Sequence, residues 1–212
     1  LIIDDDLNES DFTAFFQKYY TELDSDKDIN NLLEQIKSRL HPMDVIRTIV
    51  SYIGESEKKS DLEATTQISA AVAYVIASYN DSKTSELNDE YTVASSMLSD
   101  EASKDQLQAL DDILILYAEH GFNASTFATR VTGSTRSDLT SSIVSGIGTL
   151  KGELHGGANE RAVELINSFQ DVEDATVGVM KMLDEKKKIM GFGHGVYKIQ
   201  DPRSPVVKSW VE

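Results

Sequence analysis

Leu62-Glu63-Ala64-Thr65-Thr66-Gln67-Ile68-Ser69-Ala70-Ala71-Val72-Ala73-Tyr74-Val75-Ile76-Ala77-Ser78-Tyr79 is an unbroken Ala-rich, apolar run, and its reading decides the fold class. Leu62, Ile68, Ala71, Val72, Val75, Ile76 and Tyr79 recur at helical spacing, with no period-two alternation. Ala70, Ala71 and Ala73 would let a second helix approach closely. Upstream, the helical pattern repeats in two segments. Phe12, Phe15, Phe16, Tyr19 and Tyr20 mark the first; Ile29, Leu32, Leu33, Ile36 and Leu40 mark the second. The polar Asp24-Ser25-Asp26 separates them as a turn, and Asp28 is expected to cap the second. Pro42 fits the first turn of a third helix, where its missing N–H costs nothing. Val45, Ile46, Ile49, Val50 and Ile53 give that helix its apolar face, Gly54 ends it, and His41 reads as a structural or capping residue.

Downstream, residues 80–92 are polar and read as an exposed connection. A short apolar patch around Val93, Met97 and Leu98 follows, and the acidic Asp100-Glu101-Ala102-Ser103 opens another helix. Leu107 to Tyr117 is so dense in Leu and Ile that deep burial is expected. Residues 126–150 read as helical with many small side chains, which implies tight helix packing within the chain or across a dimer. Amphipathic helices are expected over Ala162–Phe169 and from Asp174 to about Lys187, and a last one begins at Val206. With no convincing strand and no internal repeat, the fold class is all-α.

The chain has 212 residues, 40% hydrophobic and 26% charged, ordinary values for a globular domain with a sizeable core. No apolar run approaches the length of a membrane span. A net charge of −16 disfavours nucleic acid and anionic membrane as partners. The absence of Cys excludes a disulfide framework and a thiolate zinc site, and fits a cytoplasmic setting. The opening Leu1-Ile2-Ile3-Asp4-Asp5-Asp6 is unlike a signal peptide and reads as the end of an apolar element already in progress.

Charge and glycine are unevenly placed. Between Lys181 and Arg203 six basic residues face three acids, against the trend of the whole chain. Eleven of the twelve Gly lie at or after residue 121. Lys186-Lys187-Lys188, the Gly191-Phe192-Gly193 turn, His194 and Lys198 together suggest an anionic ligand held against approachable backbone, with a His to hold or pass a proton. His120, His155 and His194 all sit at breaks between helices. They lack metal-ligand spacing, and no Gly-X-Ser-X-Gly elbow is present. The spacing suits carbonyl chemistry with His from separate loops. A His at a helix start, as at His155, is suited to donating one hydrogen bond to a carbonyl or enol. Arg203, beside Pro202, could grip a carboxylate bidentately.

Four blocks in order resemble the citrate synthases, including the 2-methylcitrate synthases: His41-Pro42-Met43, Leu116 through Phe127, Leu154 through Glu160, and Gly191 through Arg203. The resemblance covers essentially the whole chain. It implies a citrate synthase-like, all-α fold, with residues 1–155 as part of a large domain and 156–212 as the start of a smaller mobile one. It implies a homodimer and the condensation of an acyl-CoA with oxaloacetate, followed by thioester hydrolysis. Acyl-CoA is then a substrate, and no cofactor or metal is implied. By match to the family motifs, His155 would stabilise the enol of the acyl-CoA and His194 would polarise the keto group of oxaloacetate. His120 and Arg203 would bind its carboxylates, with Asn123 and Ser125 supporting the site around His155. Lys188, Ile189, Met190, Gly191, Phe192 and Gly193 would line the CoA adenine pocket, and Lys198 would face its phosphates.

Two departures from the family pattern follow. The catalytic Asp and further Arg residues of the family match positions beyond Glu212, so the chain is expected to be an internal piece that does not turn over by itself. Gly195 stands where many citrate synthases carry Arg and methylcitrate synthases often carry a small residue. This, with Tyr117-Ala118-Glu119-His120, favours 2-methylcitrate synthase over citrate synthase. A non-catalytic helical dimerisation module and a metal hydrolase are the readings from other classes.

Overall fold

The computed structural model describes residues 9–54, 60–80, 87, 92–118, 122–193 and 197–211. Among these residues there are eleven helices and no strand, as the spacing of apolar residues predicts. Two compact units divide the chain, Leu1–Gly148 and Thr149–Glu212.

In the first unit, α1 (Glu9–Ser25), α2 (Lys27–Lys37), α3 (Pro42–Ile53) and α4 (Asp61–Tyr79) build the core. Helix α4 packs against α1, α3 and the short α5 (Thr92–Met97). Contact on several sides explains why it is apolar nearly all round. Ala70, Ala71, Ala73 and Val75 are wholly buried along it, and these small side chains let the neighbouring helices come close. Phe16, Tyr19, Tyr20 and Leu23 of α1, Ile29, Leu33 and Ile36 of α2, and Val45, Ile46, Ile49 and Val50 of α3 complete the cluster. Tyr74 of α4 ties it to the α1–α2 corner. Its hydroxyl donates to Asn30 Oδ1 at 2.5 Å and its ring meets Tyr20 edge-on at 5.4 Å. Burial, with the Asp24 carboxylate nearby, pushes the Tyr74 phenol up to about 12.

The helix ends follow local rules, with some shifts from expectation. The N-cap of α2 is Asp26 rather than Asp28: its Oδ1 accepts from the backbone N–H of Asp28 and Ile29, which places Asp28 inside the first turn. His41 caps α3 through Nδ1, which accepts from Met43 N, and Pro42 opens the helix. Ser60 and Glu63 form a reciprocal capping box on α4. Most of the connection expected over 80–92 lies outside the described residues.

The largest departure is α6 (Lys104–Ala118), expected to be deeply buried. It has no buried residue, and Ile115 is 65% exposed. Its hydrophobic density exceeds what its neighbours cover, since among the helices its main contact is α5. The helical stretch expected over 126–150 is two helices, α7 (Ala124–Ser134) and α8 (Leu139–Leu150), parted by a turn in which Arg136 has φ 62°. Asp138 restarts the chain by accepting from Ser141 N and Oγ, and these bonds hold its carboxyl below the usual range. The small residues do serve packing within the chain. A Cβ on Gly146 of α8 would lie 2.2 Å from Thr129 Oγ1 of α7, so any side chain there would have to displace the Thr129 hydroxyl.

The second unit holds α9 (Gly157–Asn167), α10 (Val172–Asp184) and α11 (Ser204–Ser209). Phe169, just after α9, packs its ring against Gly178 of α10, where a Cβ would lie 2.4 Å from Cε1. None of the described helices of this unit carries a buried residue.

Candidate active site

His155 stands in the turn that joins α8 to α9, and backbone hydrogen bonds build that turn. Gly156 N donates to Leu150 O at 2.9 Å, His155 N to Gly152 O at 2.9 Å, and Gly157 N to Gly152 O at 3.2 Å. The chain thereby folds back on carbonyls that a helix C-terminus leaves open. Close approach dictates the glycines: a Cβ on Gly156 would lie 2.5 Å from Leu150 O, and one on Gly157 would lie 3.1 Å from Gly152 O. The His155 carbonyl accepts from Ala158 N at 3.1 Å, so the half-buried His155 stands at the N-terminal end of α9, where the sequence places it.

Asn123 and Ser125, in the first unit, are brought together. Asn123 Oδ1 accepts from Thr126 N at 2.8 Å and from the Ser125 hydroxyl at 2.7 Å, making Asn123 the N-cap of α7. These bonds fix both side chains at the start of a helix. Phe122 beside them meets Phe127 edge-on at 5.8 Å, with the Arg130 guanidinium 4.9 Å from its ring centroid. His120 precedes this group but lies outside the described residues, as do His194 and Gly195.

The Lys-rich stretch sorts into three parts. Helix α10 ends in a left-handed cap: Lys186 N donates to Leu183 O and Lys187 N to Met182 O, with Lys186 at φ 54°. Lys187 is committed to Glu185, Nζ to Oε2 at 2.6 Å, and that ammonium holds the Glu185 carboxyl below its ordinary range. A Lys in the left-handed region is strained where glycine is not. Lys186→Gly is therefore expected to raise stability by about 1 kcal/mol, read as a higher urea midpoint at unchanged slope. An unchanged or lower midpoint would contradict the strain.

Beyond that cap, Ile189 and Met190 are half-buried, while Lys188, Phe192 and Lys198 are exposed. Gly191 (φ 90°) and Gly193 (φ 85°) adopt backbone conformations that favour glycine. A Cβ on Gly191 would lie 3.3 Å from Ala162 Cβ, so the segment rests on α9, whereas Gly193 faces open space. The backbone over Phe192 and Gly193 is accordingly accessible to a ligand.

Arg203, expected to bind an oxaloacetate carboxylate, is paired with the Asp201 carboxylate of its own loop. Asp201 Oδ1 accepts from Arg203 Nε at 3.0 Å and Oδ2 from Nη2 at 2.7 Å. Asp201 Oδ1 also accepts from Arg203 N at 2.9 Å. Asp201 is the polar residue that sequence reasoning passed over. The available signal was an Asp two positions before the Arg across a Pro, the spacing at which an Asp side chain accepts from its own backbone. Among the described residues, no group of three or more His, Asp or Glu could hold a metal ion. No described helix is long and apolar enough to cross a membrane.

Comparison with known proteins places these features in a family. A 2-methylcitrate synthase of Shewanella oneidensis is 40% identical over 197 residues, covering 87% of this chain and 52% of the relative. A citrate synthase of Deinococcus radiodurans is 36% identical over 198 residues, covering 85% of this chain and 52% of the relative. Among solved structures, the Thermoplasma acidophilum citrate synthase in ternary complex with carboxymethyl coenzyme A and oxaloacetate matches with TM-score 0.75 at 28% identity, covering 94% of this chain and 56% of that one. Citrate synthase of Thermotoga maritima matches with TM-score 0.70 at 29% identity, covering 94% of this chain and 55% of that one. The chain spans about half the length of the relatives it matches. The model of the citrate synthase C-terminal domain matches residues 1–212, and the chain belongs to the citrate synthase family.

Proposed function

We propose that the whole protein containing this chain condenses an acyl-CoA with oxaloacetate and hydrolyses the resulting thioester. The observation that carries the reading is the His155 turn, a backbone-locked His at the start of a helix, in a chain of this family. A donor fixed there is suited to the oxygen of a thioester carbonyl as it gains negative charge on enol formation. His194 then polarises the keto group under attack, and His120 and Arg203 bind the oxaloacetate carboxylates. Both His roles rest on the match to the family motifs. Asn123 and Ser125 support the site from their cap on α7. The segment from Lys188 to Gly193 lines the CoA adenine pocket, with Lys198 toward its phosphates. No cofactor or metal enters the reaction.

Residues 1–155 belong to the large domain and 156–212 begin the smaller, mobile one. The working unit is a homodimer in the cytoplasm. The charge of −16 supports the absence of nucleic acid and membrane partners.

Propionyl-CoA is the favoured acyl donor, making the product 2-methylcitrate. The Tyr117-Ala118-Glu119-His120 run and Gly195 support this branch, while relatives of both names lie at similar identity. Steady-state turnover of the whole protein with each thioester tests it. A higher kcat/KM for propionyl-CoA than for acetyl-CoA is expected; a strong acetyl-CoA preference would make it a citrate synthase instead.

A further inference from the structure

Main-chain bonds build the His155 turn, and one guanidinium ties across it. Glu153 precedes His155 in the loop after α8, and Arg161 follows it on α9. Arg161 Nη2 lies 3.2 Å from Glu153 Oε1, and its Nε lies 3.8 Å from Glu164 Oε2 on the same helix. The guanidinium therefore joins the loop before His155 to the helix after it, with His155 between the two ends. Leu154, between Glu153 and His155, is 93% exposed, so its side chain does not pin the loop by packing.

We infer that Arg161 is a positioning residue, strapping the loop before His155 to α9 through Glu153 and so holding the imidazole in place. This rests on the condensation reading above, in which His155 acts on the thioester oxygen. Two effects oppose each other. The side chains of Arg161 and Glu153 are 51% and 69% exposed, so water and salt weaken the pair, and both side chains lose rotamer freedom to make it. Against that, the backbone is already ordered, since Gly152 O accepts from both His155 N and Gly157 N, and Glu164 keeps Arg161 along the helix. For stability the first effect wins, and the strap contributes little. For rate the second wins. A positioned group displaced by about 1 Å costs roughly 10²-fold, so a shift of a few tenths of an ångström is already felt.

In the whole protein, Arg161→Ala and Glu153→Gln are each expected to lower kcat about 2- to 5-fold, the scale of an exposed ion pair. Both KM values and the melting temperature should change little. The double variant should be no slower than the slower single one, since both changes remove one contact. Arg161→Lys keeps the charge and loses the planar fork, so its kcat should fall between wild type and Arg161→Ala. Salt near 1 M shortens the screening length to about 3 Å, so the ratio of wild-type to Arg161→Ala kcat should shrink toward one. If Arg161→Ala does not fold, Glu153→Gln and Arg161→Lys carry the test. Wild-type kcat in the folded single variants, or losses that add in the double variant, overturns this inference while the condensation reading stands. Wild-type kcat in His155→Ala removes the His155 role and this inference with it. Absence of condensation by the wild type overturns the condensation reading and this inference together.

Discussion

His155→Ala in the whole protein is expected to lower kcat by about 10²- to 10⁴-fold, the scale of losing one positioned acid–base or hydrogen-bonding group. The fold should survive the change. His155 holds its turn through main-chain atoms: its N–H donates to Gly152 O and its carbonyl accepts from Ala158 N, and alanine keeps both bonds. The side chain is half-buried rather than part of a core cluster, so the melting temperature is expected to fall by only a few degrees. The measurement is kcat at saturating thioester and oxaloacetate, with a thermal melt on the same preparation. Loss of turnover without loss of folding assigns the His155 side chain to the chemistry. A variant with wild-type kcat would remove it from the site. A variant that simply unfolds would show that the side chain, and not only the main chain, holds the turn. Because the role is to stabilise charge that develops on the thioester oxygen, the loss should appear mainly in kcat, with a smaller change in KM for the thioester.

The parts of the fold that were legible in the sequence are those where one rule acts alone. Helix α4 announced itself because a helix touched on several sides must be apolar nearly all round. Pro42, with His41 before it, marked the start of α3 because both local rules agree there. Where two local rules compete, the sequence reading slipped. Asp26 and Asp28 are both good caps, and the backbone of Asp26 is the one in the extended conformation that a cap requires. Helix α6 failed for a different reason. Hydrophobic density says that a face tends to be covered, not which element covers it, and α6 finds little cover among the described helices. At the candidate site, the His155 turn and the glycines of 191–193 were legible because glycine and histidine carry local signals. The Asp201–Arg203 pair was not, because the Asp-Pro-Arg spacing signals only the bond to the Arg203 backbone N–H and not the grip on its guanidinium.

Gly156→Ala carries the second large effect, and its cause is proximity rather than backbone freedom. Gly156 has φ −62° and ψ −31°, a helical conformation that alanine adopts without strain. What forbids the methyl is the carbonyl oxygen of Leu150, 2.5 Å from where the Cβ would sit, with Leu150 Cδ1 at 3.1 Å. The oxygen is main chain at the end of α8, so no side-chain rotation relieves the clash, and the Gly156 N to Leu150 O hydrogen bond must lengthen or break. A destabilisation of about 1–3 kcal/mol is expected, as for other forced close contacts. Activity should suffer more than stability, because His155 is the adjacent residue and a shift near 1 Å in a positioned group costs roughly 10²-fold in rate. Gly148→Ala is the control. It lies in α8 two residues before Leu150, its Cβ would meet nothing nearer than Arg47 Nη1 at 3.9 Å, and alanine is the better helix former. That variant is expected to melt at or slightly above the wild type and to keep its kcat. If Gly156→Ala behaves like Gly148→Ala in both the melt and the rate, the close approach to Leu150 does not hold the His155 turn, and the geometry assigned to the site fails with it.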